Sequence, residues 1–452
     1  MNGAEQRVID QAVSLHKAGK FTDAAHLYNM VLNRHPMNVG ILSLMADLFN
    51  RIDYTGLAIN LYGVCIQADP ENGKYWNDLG IAFRKENMLD EAKNAYAKSI
   101  ELQGETAENC NNMAGLYSDS CEPEKALDWA DRALKHADLA DAHWHRALAL
   151  LTQKRWAEGW DEYEYRQKLE SWDSRRTIAA PTWDFNQTEH LYVHGEQGVG
   201  DEVMFLSCLD EAIRRARHVT VEVHPAVAQL VRQTWPDVSV VTEEAKGDYT
   251  AKIALASLAV HFRRSEDAFP GVPYLKPDPA LVEHYRARLS AVGPRPWVAL
   301  TWLGGAKRTR TEERSLDLAS LRPIMDQFSC VSAQYEHVQP FVKVERERNK
   351  LIALDDLCVG KDLAHQAALF EAVDAVVTVQ QTAVHVAGAV GAKTFALINE
   401  RPHWRYGMQG NLPWYRSVSL YRKTSDWGSL IEKVRSDIAD QFGVSGTQRA
   451  VA

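Results

Sequence analysis

Small and large apolar positions recur with a stride of 34 through the first third of the chain. Counting from Gly73, the apolar and small residues are Trp76, Leu79, Gly80, Phe83, Ala92, Tyr96 and Ser99. One stride earlier, from Val39, stand Leu42, Met45, Ala46, Phe49, Ala58, Tyr62, Cys65 and then Pro70. From Glu5 come Val8, Ala12, Leu15, Ala24, Tyr28, Val31 and Pro36, and from Ala107 come Cys110, Met113, Ala114, Tyr117, Ala126, Ala130 and Ala133. Within each copy the spacing is that of two helices, each with one apolar face. Small residues at the eighth and twentieth positions let the two helices approach, and large ones fill the space between successive pairs. After about residue 175 the period changes. Short β-branched runs (HLYVHGE, VTVEVHP, VSVVTE, AKIALAS, WVALTW, SCVSAQ, LIALDD, AVVTVQ, KTFALIN) alternate with helical stretches such as VMFLSCLDEAIRRAR and LAHQAALFEAV. Such alternation predicts parallel sheets with helices on both faces, and there are enough strands for two.

The 34-residue register resembles the tetratricopeptide repeat (TPR), a helix–turn–helix unit that stacks into a superhelix because one pair cannot bury its apolar face alone. A fifth unit starts at Asp141 with Trp144, then departs: Trp160 stands where a small residue is expected. The stretch RWAEGWDEYEYRQKLESW, with Trp156, Trp160, Tyr163 and Tyr165, reads as a helix closing the solenoid, its aromatics serving as interface core. The resulting division is a TPR superhelix over 1–172, an α/β domain over 173–290, a second over 291–445 and a tail over 446–452. The Pro-rich VGPRPW at 292–297 is the hinge between the two α/β domains.

Composition narrows the function classes. The net charge of −9 argues against a nucleic-acid binder, and the basic runs RRAR and VERERNK are short and mixed. MNGAEQRVIDQAVSLHK has no apolar core of a secretory signal, and no stretch approaches the ~18 apolar residues of a membrane span. The expectation is therefore a cytoplasmic protein without a membrane span. Cys65, Cys110, Cys121, Cys208, Cys330 and Cys358 form no C-x-x-C pair, which favours reduced thiols over disulfides or a structural zinc.

Two loops carry candidate chemistry. GEQGVGD follows the strand HLYVHGE and precedes a helix, so Gly198 and Gly200 allow close backbone approach and the helix start favours an anion. It lacks the GK[ST] of a Walker loop and the third glycine of the dinucleotide fingerprint. Asp201 is either a helix N-cap or an acid facing a ligand; His194 is an alternative base or a plain strand-end histidine. The second loop lies between AVVTV and the helix behind it. There Gln381, Thr382 and His385 sit at or within one turn of the helix start, where amides and a hydroxyl suit a phosphate. His385 is otherwise a core histidine. Gly388 and Gly391 permit close packing and end the helix. Upstream, WLGGAKRTRTEERS brings Lys307, Arg308, Arg310 and Arg314 to a strand's carboxyl end, either to neutralise a phosphate or as a basic surface loop. No D-x-D occurs in the α/β part, so no bridging metal is expected.

The ordered series GEQGVGDEVMF, WLGGAKRTR, SAQYE, DLAHQAALFEAVDAVVTVQQTAVHVAGAVG and HWRYGMQGNLPWYRSVSLYR resembles bacterial glycosyltransferases related to the ADP-heptose:lipopolysaccharide heptosyltransferases, and within them the branch with N-terminal TPRs. The resemblance implies a GT-B fold of two Rossmann-like domains and inverting, metal-independent transfer with no cofactor beyond a nucleotide-sugar co-substrate. It makes Asp201 the general base and places Lys307 at the donor phosphate. It also puts Gly198, Gly200, Arg308, Gln334, Gln380, Gln381, Thr382 and His385 among the substrate-binding residues. The chain departs from the family's helix-start motif: Gln380-Gln381 replace Asp-Thr, while His385, Ala387 and Gly388 remain. A sugar-hydroxyl acceptor becomes an amide there. HWRYG…LPWY is similar to TPR-linked enzymes of flagellin glycosylation, some of which transfer nonulosonic acids; O-GlcNAc transferase shares the TPR-plus-GT-B layout. The expected partner is a protein acceptor, flagellin, held in the TPR groove. A non-catalytic TPR adaptor and a surface-polysaccharide glycosyltransferase are the alternatives.

Overall fold

A computed structural model describes residues 3–169, 172, 178–291, 293–305, 311–335, 340–357 and 361–444. The chain divides into two compact units, Met1–Leu150 with Tyr165–Glu170, and Leu151–Glu164 with Ser171–Ala452.

The first unit is built of helical pairs. Helices α1 (Gly3–Lys17) and α2 (Phe21–Leu32), α3 (Val39–Arg51) and α4 (Thr55–Ala68), α5 (Gly73–Lys85) and α6 (Leu89–Gln103), and α7 (Ala107–Asp119) and α8 (Pro123–His136) pack two by two. Helix α9 (Ala140–Thr152) follows. The register positions explain the pairing: Ala12, Ala24, Ala46, Ala58, Ala92, Ala114 and Ala126 are fully buried. Gly80 makes the argument sharpest, because a Cβ there would lie 2.5 Å from the Tyr96 ring. Two features of the backbone share the stride. Asn38, Asn72 and Thr106 cap the first helix of successive pairs with a side-chain oxygen. The turn inside each pair is left-handed, at Gly19, Asp53, Asn87 and Cys121 with φ of 72°, 64°, 60° and 56°. Such backbone suits glycine and, among side-chain residues, asparagine and aspartate.

The second unit opens with α10 (Trp156–Tyr163). Trp160 is fully buried within this unit, donates from its indole nitrogen to the Arg263 carbonyl at 2.8 Å, and meets Phe205, Trp404 and Trp414 edge-on. Tyr165, by contrast, belongs to the first unit, where its ring stacks on His143 at 3.5 Å. The first α/β layer has strands β1 (Thr188–His194), β2 (Ala216–Glu222), β3 (Ser239–Val241) and β4 (Ala251–Ala254), all parallel, in the order β3-β2-β1-β4. Its helices are α11 (Val199–Phe205), α12 (Leu209–Ile213), α13 (Pro225–Thr234) and α14 (Ser257–Phe262); α15 (Pro279–Ser290) follows in the chain and packs on residues 363–372 of the second layer.

The second layer has β5 (Trp297–Thr301), β6 (Ser329–Ser332), β7 (Ile352–Ala353), β8 (Ala375–Val379), β9 (Thr394–Ile398) and β10 (Val418–Arg422). Its helices are α16 (Thr311–Arg314), α17 (Arg322–Gln327), α18 (Pro340–Arg348), α19 (Leu363–Ala372), α20 (Thr382–Val390) and α21 (Trp427–Phe442). Every residue of β5, β6, β8 and β9 is buried, which is why β5, β8 and β9 are nearly continuous apolar runs rather than alternating ones. The sheet is parallel with strand order β7-β6-β5-β8-β9-β10. In chain order this is the doubly wound dinucleotide-binding arrangement, and the smaller sheet is its first four strands. In such sheets the order reverses between the first and fourth strands, leaving a crevice at their carboxyl ends where ligands bind. The architecture is thus a helical TPR-type repeat plus α/β layers, as the periodicities predict. Among the described residues, the apolar runs in the sequence mark nine of ten strands; β10 is the one they do not pick out. Among the described residues no helix is long and apolar enough to cross a membrane.

Candidate functional site

The crevice of the second layer lies where β5 and β8 part, and the described residues of the second unit bring four segments to it. The first comes from the other layer. After β1, Gly195 turns the chain so tightly that a Cβ would meet the Glu222 carbonyl at 2.8 Å. Gln197 takes a left-handed φ of 65° and donates to the Tyr163 hydroxyl at 2.6 Å. The cap of α11 is Gly198, whose carbonyl accepts from the amides of Asp201 and Glu202 at 2.8 and 3.0 Å. Asp201 is therefore not the N-cap; it is the third residue of the helix, with its carboxylate directed elsewhere. A Cβ on Gly198 would stand 3.5 Å from Asp201 Oδ2, so the missing side chain leaves that oxygen's flank open. Gly200 has a different reason. A Cβ there would lie 3.2 Å from Thr382 Oγ1 and 3.4 Å from His385 Cδ2, so glycine lets α11 rest against the start of α20.

The second segment is the turn from β8 into α20. Gln381 is the cap residue but makes no side-chain cap bond, and its buried amide nitrogen has no partner among the described residues. Thr382 is the first helical residue. The helix amides here point outward without a capping side chain, an arrangement suited to an anion. His385 is buried and its Nδ1 faces the Tyr415 hydroxyl at 3.2 Å; burial pulls its pKa down to about 4, so the ring is neutral near pH 7. Tyr415 fits against Gly388, where any side chain would overlap its ring, and Gly391 ends the helix at a left-handed φ of 82°. Gln380 is 1% exposed and is engaged at both ends of its amide: Nε2 donates to Asn399 Oδ1 at 2.6 Å, and Oε1 accepts from the His403 amide at 3.2 Å.

The third segment leaves β5. Gln334, at the carboxyl end of β6, accepts with one oxygen from the amides of Trp302 and Leu303, at 2.9 and 3.0 Å. Gly304 lies against the stem of Arg314, and Arg314 donates to the Gln380 carbonyl at 3.0 Å. Lys307, Arg308 and Arg310 lie outside the described residues. The fourth segment, which sequence reasoning does not single out by residue, is the loop after β9. Its Arg405 forms an ion pair with Asp201 Oδ1, and both side chains are mostly buried, 11% and 17% exposed. The guanidinium lies 4.7 Å from the Trp404 ring centre and against the His403 ring; burial lowers its pKa. Tyr406 beside it has its hydroxyl pushed up to about 12 by burial. One signal points there: HWRYG sits beyond the carboxyl end of a fully buried strand, β9, of the same parallel sheet as β8, which precedes Gln381.

The structure therefore gathers Asp201, Gly198, Gly200, Gln381, Thr382 and His385 with Arg314, one of the four loop cations, and adds Arg405. Gln334 and Gln380 hold backbone next to the site. Arg405 thus stands on the Asp201 carboxylate, and Arg314 on the Gln380 carbonyl just before the helix start; guanidiniums and a helix start are groups that suit an anion. A groove of about 980 Å³ elsewhere in the unit follows the edge strand β10, lined by Phe269, Tyr415, Leu420 and Lys433 among others, and contains none of the residues predicted for the site. Among the described residues, the single cluster with metal-ligand spacing is Glu105, Cys110 and His136 in the first unit, where Arg132 already pairs with Glu105.

No family model matches the chain. The chain is 28% identical over 420 residues to Protein FlbA of Caulobacter vibrioides, covering 85% of this chain and 70% of FlbA. Similar solved structures include the TPR protein TTC0263 of Thermus thermophilus (18% identity, TM-score 0.34, 37% of this chain and 93% of that one). MamA gives 19% identity, TM-score 0.31, and 35% and 92% coverage. YrrB, described as a TPR protein with an unusual peptide-binding site, gives 14%, 0.28, and 32% and 76%.

Proposed function

We propose that the protein is an inverting, metal-independent glycosyltransferase of GT-B type. It moves a sugar, a nonulosonic acid in the form favoured by the HWRYG…LPWY resemblance, from a nucleotide-sugar donor to a protein acceptor, flagellin, recruited by the TPRs. The observation that carries this reading is the meeting of α11, the helix that bears Asp201, with the uncapped start of α20 at the switch point of a doubly wound sheet. The donor phosphates lie on the amides of Thr382 and its neighbours, with Arg314, and Lys307 and Arg308 of the preceding loop, as counter-charges. As the bond from the anomeric carbon to the phosphate oxygen breaks, its electron pair passes to the phosphate. The acceptor hydroxyl attacks the oxocarbenium-like centre. Asp201 takes the hydroxyl proton on Oδ2, because Arg405 occupies Oδ1.

The test is to incubate the full chain with nucleotide sugars, including CMP-activated nonulosonic acids, and flagellin. A mass increase on flagellin equal to one or more sugar residues is the expected outcome. Unchanged mass with every donor, together with unaltered flagellin in a deletion strain, overturns the proposal. The ion pair itself favours a second reading, a TPR adaptor with a non-catalytic α/β part, since a carboxylate held by arginine is a weaker base. Calorimetry with UDP and CMP separates the two: an adaptor binds neither.

A further inference from the structure

Gln380 is buried, and its surroundings give its amide a specific task. Gln380 reaches no open surface. Its oxygen holds the first amide of the 403–410 loop and its nitrogen holds Asn399. Asn399 in turn donates to the Glu313 carbonyl at 3.3 Å, and Arg314 donates to Gln380's own carbonyl. A carboxylate could accept from His403 but has no proton for Asn399. The far end of the same loop is held by Arg422, the last residue of β10. Its guanidinium donates to the carbonyls of Tyr406, Gly407 and Gly410 at 2.7, 2.9 and 3.3 Å.

The loop has little structure of its own, a single turn at Trp404–Tyr406 and left-handed glycines at 407 and 410. Backbone polar groups in such a loop need outside partners. The two clamps supply them, one on each side of Arg405. Trp404, packed on Trp160 and Tyr163, fills the space beneath. Arg405 is thereby held as a fixed arm against Asp201 rather than as a mobile surface charge.

We infer that Gln380 and Arg422 are positioning residues: they clamp the 403–410 loop and so place Arg405 on Oδ1 of the proposed base. This rests on the glycosyltransferase reading for its catalytic consequence, but the clamping itself does not. Hydrogen–deuterium exchange on the full chain tests the clamp without any activity. Gln380→Glu and Arg422→Gln are each expected to speed exchange across 403–410 at least about tenfold relative to the wild type, with the rest of the sheet unchanged. Wild-type exchange rates in both variants overturn the clamp.

Single-turnover transfer from a CMP-nonulosonic acid to flagellin tests the consequence. Each variant is expected to lose roughly 100-fold in rate while CMP affinity, measured by calorimetry, stays within about threefold. Arg422→Lys, which keeps the charge and part of the bonding, is expected to recover part of the rate. In an Arg405→Ala background, adding Arg422→Gln should cost nothing further, because both act through one contact. Full additivity, or equal losses in rate and CMP affinity, contradicts positioning and leaves general destabilisation. A wild type that transfers no sugar while the variants loosen the loop refutes the enzyme reading and keeps the clamp.

Discussion

The two units solve the same problem, close approach of helices, in opposite ways. In the first, Gly80 and the buried alanines repeat one contact at a fixed stride, so each pair is a copy of its neighbour. In the second, Gly200, Gly388 and Gly391 each make a contact used once, between segments far apart in the chain: α11 on α20, Tyr415 on α20, Pro273 on α20. Repetition gives tolerance and a surface that can be lengthened. Single-use contacts give one fixed arrangement of unlike groups, which chemistry needs. The function proposed for the second unit therefore hangs on residues whose loss no neighbouring copy can cover.

Paired glycine substitutions sharpen that contrast most. Gly80→Ala and Gly388→Ala each drive a methyl group into a tyrosine ring, and each is expected to destabilise its unit by about 1–3 kcal/mol in chemical denaturation. The consequences should differ. Gly388→Ala also displaces Tyr415 from His385 and should weaken CMP binding, whereas Gly80→Ala should leave it unchanged. Equal effects on nucleotide affinity would erase the distinction.

Acid is the next lever. The folded pKa of His385, about 4, lies below its ordinary value of 6.5, so between these the unfolded chain binds more protons. The contribution is fully present above about pH 6.5 and is lost as pH falls toward 4, a loss of roughly 2–3 kcal/mol. Urea titrations of the wild type and His385→Asn at pH 7 and pH 5 read it: the wild type should lose more than the variant. Identical pH dependence would mean that the ring is not held neutral by burial.

The smallest effect belongs to the repeat. Cys121 occupies the left-handed turn that Asn87 and Asp53 occupy one and two strides away. Cys121→Asn is expected to stabilise by about 0.5–1 kcal/mol, visible as a higher denaturation midpoint with unchanged slope. A lower midpoint would show that the thiol's own contacts outweigh the backbone strain.

The same contrast sets what the sequence can reveal. Repetition is visible in one dimension, so the register from Val8 to Ala133 and the nine apolar strand runs stand out in the order of residues alone. The caps at Asn38, Asn72 and Thr106 and the left-handed turns carry the same stride and are equally readable, though polar residues advertise it less. Strand β10 escapes because it is an edge strand, with one buried residue followed by four half-buried ones, and it follows an aromatic loop. The pairing of Asp201 with Arg405 is not periodic and joins residues about two hundred positions apart, so no spacing rule reaches it. Gln380 shows the other limit. As a letter it only departs from the motif that the stretch resembles, and its two hydrogen bonds are what make it a strut.

In the proposed mechanism Asp201 takes a proton while the start of α20 holds the donor. This is tested most directly by single-turnover transfer from a CMP-nonulosonic acid to flagellin with Asp201→Asn beside the wild type, with CMP affinity measured on both. The account predicts a rate loss of about 10²–10⁴-fold with CMP affinity changed less than about threefold. Transfer at the wild-type rate by Asp201→Asn would contradict it.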